Sequence, residues 1–110
     1  MTAEEFRAMA LALPEAEERE TWGEATFRVR DKIFAMLASA TVSVKASREE
    51  QAALIAADPE TFQVAPYTGR FGWVLVRLAS VDPGEMRELV VEAWRRTAPR
   101  QLVAAYDAER

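Results

Sequence analysis

Cysteine and histidine are both missing from the 110 residues. Disulfide cross-links, thiol nucleophiles, imidazole acid–base chemistry and the usual zinc ligand sets are excluded together. Long apolar runs are missing too: none approaches the roughly 18 residues that a membrane span needs. The acidic start of the chain lacks the basic and apolar regions of a secretory leader. A cytoplasmic protein with no membrane association is therefore expected, and the absence of cysteine agrees with that compartment. Positive charge is in short supply, with 14 Lys and Arg against 18 Asp and Glu, a net charge of −4. This is a poor overall balance for neutralising phosphates, so any nucleic-acid surface must be local. No phosphate-binding loop, dinucleotide fingerprint or nucleophile elbow occurs. What remains for catalysis is carboxylates, Ser39, Ser43, Thr26, tyrosines and lysines, in no recognisable pairing. Ser43 and Lys45 share a strand face, but neighbours at period two arise in almost any strand. The expectation is a protein that is not an enzyme and uses no cofactor.

Half of the residues are hydrophobic, enough for one domain over residues 1–110 with a real core. Thr2 with Glu5 forms a capping-box pattern ahead of Phe6, Met9, Ala10 and Leu13, which predicts a helix ended by Pro14. Residues 15–24 carry five glutamates without apolar periodicity and read as a solvated connection reaching Trp22 and Gly23. Residues 26–30 alternate, with Phe27 and Val29 on one face and Arg28 and Arg30 on the other, the pattern of a half-buried strand. Asp31-Lys32 is read as the turn into strands over residues 33–38 and 41–46, completing a three-stranded meander. Ser47 and Glu50 cap a helix to about Ala57, with Ala53, Leu54 and Ala57 as its apolar face. Residues 62–67 and 72–78 predict a hairpin joined by Thr68-Gly69-Arg70. Asp82, Pro83 and Glu85 start a helix whose stripe is Met86, Leu89, Val90, Ala93 and Trp94. Beyond Pro99 a short helix carries Leu102, Val103 and Tyr106. The class is α+β, ordered α-β-β-β-α-β-β-α-α, with an antiparallel sheet and its helices on one face.

Two stretches carry a resemblance. Trp22-Gly23-x-x-x-Phe27-Arg28-Val29-Arg30-Asp31-Lys32-Ile33-Phe34-Ala35 and Pro66-Tyr67-x-Gly69-Arg70-Phe71-Gly72-Trp73-Val74 resemble the MmcQ/YjbR-like family, small bacterial proteins often labelled DNA-binding. The resemblance implies a fold similar to secretion chaperones and, more loosely, to frataxin. It brings motif residues (Trp22, Phe27, Lys32, Phe34, Gly69, Arg70, Gly72 and Trp73) but no catalytic ones. By the frataxin likeness the glutamates at 15, 17, 18, 20 and 24, with Glu4 and Glu5, would suit a hard cation. Consecutive acids along a loop do not define coordination geometry, so no metal is expected.

Charge is distributed unevenly. Residues 1–24 hold seven acids and two bases, whereas residues 26–48 hold five bases and one acid. With the apolar alternates facing the helices, Arg28, Arg30, Lys45 and Arg77 project from the opposite sheet face beside Trp73 and Leu75. Together with Lys32 and Arg70 they form the candidate surface for DNA, arginines meeting phosphates and Trp73 stacking on a base. Two alternatives stand beside this. The face is a wet sheet surface with Trp73 covered by Tyr67, Phe71 or a second subunit, or it binds a protein partner or homodimer mate as an adaptor or chaperone does. Gly69-Arg70-Phe71-Gly72 reads either as a recognition wing or as an ordinary hairpin. Trp22 and Trp94 are expected to pack in or at the rim of the core. Arg95, Arg96 and Arg100 suit the end of a helix dipole.

Overall fold

A computed structural model describes residues 1–109. Its elements are helix α1 (Ala3–Leu11), strands β1 (Ala16–Thr21), β2 (Glu24–Val29), β3 (Lys32–Leu37) and β4 (Thr41–Val44), helix α2 (Arg48–Ala57), strand β5 (Phe62–Val64), a 3-10 turn (Thr68–Phe71), strand β6 (Val74–Arg77), and helices α3 (Pro83–Arg95) and α4 (Arg100–Ala108). All strand pairs are antiparallel, in the spatial order β1-β2-β3-β4-β6-β5. The α+β class and the order of its helices follow the sequence reading, with one strand more than expected.

That additional strand is β1, where a solvated connection was expected. Ala-Glu-Glu-Arg-Glu-Thr has no apolar alternation, because both of its faces are polar. Its backbone pairs with all of β2, from Ala16 opposite Val29 to Thr21 opposite Glu24. Side-chain ion pairs then fix it: Glu18 accepts from Arg7 Nε of α1 at 2.8 Å, and Arg19 meets Asp31 at 2.6 Å. The turn that follows β2 is Arg30-Asp31, with φ of 50° and 68°. It lies one residue earlier than the expected Asp31-Lys32, so Lys32 begins β3 instead of turning.

The core lies on the helix side of the sheet. Phe27, Val29, Phe34, Val42, Val44, Val74 and Val76 point into it and are fully buried. The α3 stripe Met86, Leu89, Val90, Ala93 and Trp94 covers them as its spacing predicted. Phe6 of α1 meets Phe27 edge to face, with centroids 5.4 Å apart. Trp94 packs against Tyr106 of α4, and its indole N–H donates to the Pro14 carbonyl at 3.0 Å. Its expected packing role holds. Asp82 and Thr2 cap their helices as read, and Ser47 Oγ accepts from the Glu50 N–H. In α2 the half-buried apolar residues are Leu54 and Ile55, while Ala53 and Ala57 are exposed. The helix lies against the short β5 instead of across the sheet centre, which shifts its apolar face by one residue.

Candidate functional site: a groove on the outer sheet face

The other face of the sheet has no helical cover at its centre. Cross-strand register places Arg19, Thr26, Met36, Ser43, Leu75 and Gln63 in one outward row. Ile33, opposite Arg28, joins that face after a register shift near Phe27. Here lies a groove of about 420 Å³, with Ile33, Met36, Thr26 and Ser43 as its floor. One rim is the β1–β2 turn with Thr21, Trp22 and Glu24; the other is Pro66, Tyr67 and Thr68.

Both rims present an aromatic residue to solvent. Trp22 is 99% exposed and Tyr67 94%. The expectation that Trp22 packs is therefore overturned, for a backbone reason. Trp22 and Gly23, with φ of 53° and 82°, are the two central residues of a tight hairpin of the doubly left-handed kind. This carries the indole off the end of the sheet. A bulky residue with positive φ is disfavoured, and the position usually belongs to Asn, Asp or Gly. Tyr67 is held in a rarer state, φ 63° and ψ −55°, with the Thr68 N–H donating to the Pro66 carbonyl at 2.6 Å. This is a γ-turn with positive central φ, a strained conformation. Backbone strain of this sort survives only where the surroundings enforce it.

The enforcing contacts come from α2. The Gln51 side-chain amide donates to the carbonyls of Gly69 and Trp73 at 2.9 and 2.6 Å, and Arg48 Nε donates to the Arg70 carbonyl at 3.0 Å. Gly72, with φ 105°, lies so close to the start of α2 that a Cβ would fall 2.7 Å from the Ala46 carbonyl oxygen. The stretch 69–72 is thus a 3-10 turn clamped against α2, not a mobile wing. Gln51 and Arg48 were invisible as site residues, since nothing in their local pattern separates them from an ordinary solvated helix surface.

The residues of the expected basic surface do not come together. Trp73 is only 9% exposed and belongs under the clamped turn, so it offers no stacking platform. Arg30 sits in the turn, paired with Glu15; that charge-assisted hydrogen bond holds the Glu15 carboxyl below its ordinary pKa and raises that of Arg30. Lys32 lies opposite Val29, whose side chain belongs to the helix side. Arg70 is exposed with its guanidinium 4.8 Å above the Phe71 ring. Arg28 and Lys45 are half-buried and Arg77 is exposed. Arg77 pairs opposite Thr41 while Lys45 follows the far end of β4, roughly 13 Å along the strand at 3.3 Å per residue. Arg28 donates to the hydroxyls of Thr26 and Thr21 at 3.2 and 3.1 Å and stays out of the groove lining. The acidic segment is likewise divided: Glu17 stands opposite Arg28 on the outer face of β1, Glu18 and Glu20 stand opposite Phe27 and Ala25 on the other, and Glu24 belongs to β2. Among the described residues no group of three or more acidic side chains is arranged to hold a metal ion.

A family model, YjbR, matches residues 11–96, which includes both rims and the whole sheet. The chain belongs to the YjbR family. Similar curated proteins are uncharacterized protein Mb2600 of Mycobacterium bovis and uncharacterized protein Rv2570 of Mycobacterium tuberculosis, each 43% identical over 54 residues. The matched part is 49% of this chain and 42% of each relative, so this YjbR chain spans less than half the length of those proteins. Among solved structures, the Deinococcus radiodurans protein DR2400 superposes with a TM-score of 0.76 at 20% identity, over 84% of this chain and 75% of that one. That likeness establishes the YjbR fold. No helix among the described residues is long and apolar enough to cross a membrane.

Proposed function

We propose that this YjbR protein is a cytoplasmic, non-enzymatic binding module that captures a segment of a partner protein on the outer face of its sheet. One observation carries the reading: Trp22 and Tyr67, both in disfavoured backbone states, flank a groove whose exposed lining is mostly apolar. Exposed Trp and Tyr beside an apolar depression are the residue types that dominate protein interfaces. A non-enzymatic role fits the three threonine hydroxyls in the groove. Thr26 Oγ1 donates to the Arg19 carbonyl, Thr68 Oγ1 lies 3.4 Å from the Pro66 carbonyl, and Thr21 Oγ1 accepts from Arg28. None of the three is paired with a carboxylate or amine base that would activate it.

The test is selection of peptides from a random display library on the purified protein, followed by titration against wild type and the Trp22→Ala/Tyr67→Ala variant. Micromolar peptides whose affinity falls at least about thirtyfold in the variant are expected, the loss typical of two interface hot spots. Peptides that bind both proteins equally would overturn the reading.

A DNA-binding reading has its own support in Arg28, Lys32, Lys45, Arg70 and Arg77, which have no carboxylate within ion-pair distance among the described residues. It requires micromolar binding of labelled single- or double-stranded DNA that weakens steeply with salt and disappears when Arg28 is replaced by Glu. The scatter of these cations and the net charge of −4 favour protein capture.

A further inference from the structure

The groove lies over strands that have no free edge. Its floor residues Thr26, Ile33, Met36 and Ser43 belong to β2, β3 and β4, and each of these strands is hydrogen-bonded on both sides. A partner segment therefore cannot enter by adding a strand, which is how an extended peptide obtains backbone bonds at a sheet edge. It must be held by side chains, and the charges among those balance. Glu24 is the charged residue of the lining. Arg28 donates to the Thr21 and Thr26 hydroxyls of the same wall, and among the described residues it has no carboxylate within ion-pair distance. One negative and one positive charge on one wall favour neither an acidic nor a basic occupant, so the complementary segment is neutral.

The rims offer flat aromatic surface and hydrogen-bond donors. An indole N–H only donates, and a tyrosine hydroxyl donates as well as accepts; Trp22 and Tyr67 hold both groups almost wholly in water. Thr68 Oγ1, whose contact with the Pro66 carbonyl is long at 3.4 Å, can add a third donor beside Tyr67. The backbone under the rings is set in advance, by the tight turn at Trp22 and by the γ-turn at Tyr67 that α2 clamps. A polyproline II segment meets these terms together. It is neutral, and it makes no internal hydrogen bonds, so its carbonyls are open to the donors on the rims. Proline has no backbone N–H to leave unpaired over a closed sheet face. Its rings dock against aromatic side chains, and the helix is already formed before binding, which keeps the ordering cost low.

Building on the protein-capture reading, we propose that the groove receives a proline-rich segment of the partner chain in the polyproline II conformation, its rings lying against Trp22 and Tyr67 and its carbonyls accepting from their N–H and O–H groups.

The experiment is calorimetric titration of the whole protein with N-acetyl-decaproline amide and with a flexible Gly/Ser peptide of the same length, at low and physiological salt. Both probes are neutral, and they differ in ring surface and in stiffness. We expect saturable binding of decaproline with a Kd below about 1 mM, at least about tenfold tighter than the Gly/Ser peptide. Trp22→Ala and Tyr67→Ala should each weaken it about tenfold, and the change with salt should stay below about twofold, because no charge on the ligand is being screened. Both residues are exposed, so the variants leave the core intact. Equal binding of the two peptides, no saturable binding of decaproline, or binding unchanged by Trp22→Ala and Tyr67→Ala would each overturn the proposal. The peptides selected above separate its failure from that of the broader reading. If they require Trp22 and Tyr67 but are not enriched in proline, only the proline-rich occupant is wrong; if they do not require them, protein capture at this face fails as well.

Discussion

The helix side and the outer side of the sheet use the same kinds of residue to opposite ends. Inward, Phe27, Phe34 and Trp94 are fully buried, and the Trp94 indole N–H has a carbonyl partner. Outward, Trp22 and Tyr67 are almost wholly in water, and the turns that carry them have backbone angles that bulky residues seldom adopt. Burial accounts for the first set and cannot account for the second. A tryptophan left in solvent contributes nothing to the core, so its place at the groove is best understood by what it meets there. The inner face holds the fold together, and the outer face is supported by it.

Four substitutions or titrations break or sharpen this contrast. The largest effect belongs to the inner face: Trp94→Ala should cost about 3–5 kcal/mol of stability, measured by urea denaturation, because a fully buried indole is replaced by a cavity. Gly72→Ala attacks the link between the faces. The new Cβ would collide with α2 backbone, and φ 105° is unsuited to alanine, for a loss of about 1–3 kcal/mol. Amide chemical shifts should move at Gln51 and Tyr67 if the clamp described here is right. Trp22→Asn should act in the opposite sense. It should stabilise the hairpin by about 1 kcal/mol, since Asn tolerates left-handed φ, while weakening peptide binding; unchanged binding would break the contrast. The smallest effect is the pH response of Glu15 and Glu5. Arg30 lowers the first carboxyl's pKa, and the backbone and side chain of Thr2 lower the second. Their folded pKa values lie below the unfolded ones, so this stabilisation is complete above the ordinary carboxylate range and is lost as pH falls through the depressed values. Denaturation midpoints from pH 6 to pH 3 should fall less steeply in Glu15→Gln.

Periodic burial made most of the inner face legible. The stripe from Met86 to Trp94, the alternation of Phe27 and Val29, and the caps at Thr2 and Asp82 each follow from local pattern, because the buried side of an element leaves a period in the sequence. The outer site left no such trace. The six residues of β1 have no apolar period, as an edge strand with two polar faces has none to give. Without that strand, Trp22-Gly23 does not show itself as a hairpin turn, and its tryptophan reads as packing in or at the rim of the core. Had Thr21 and Glu24 been recognised as a strand pair, the glycine at the second turn position would have marked Trp22 as outward. Trp73 failed in the reverse direction: strand alternation puts it on the outer side, but the clamped turn above it decides its burial. Sequence spacing could not supply a clamp made by Gln51, 18 and 22 residues from the carbonyls it bonds.

The charged edge has a further consequence, for crowding. The outer margin of β1 exposes backbone groups that could accept another strand, the usual route by which sheets polymerise. Two copies meeting there in parallel register would bring Glu17, Glu18 and Glu20 of each molecule beside their counterparts, and Arg19 beside Arg19, and like charges set directly opposite are destabilising. A protein that keeps a tryptophan and a tyrosine in solvent has reason to resist self-association elsewhere on its surface. The like charges of β1 therefore oppose parallel in-register stacking of the sheet edge, one of the arrangements by which a sheet extends into a fibre.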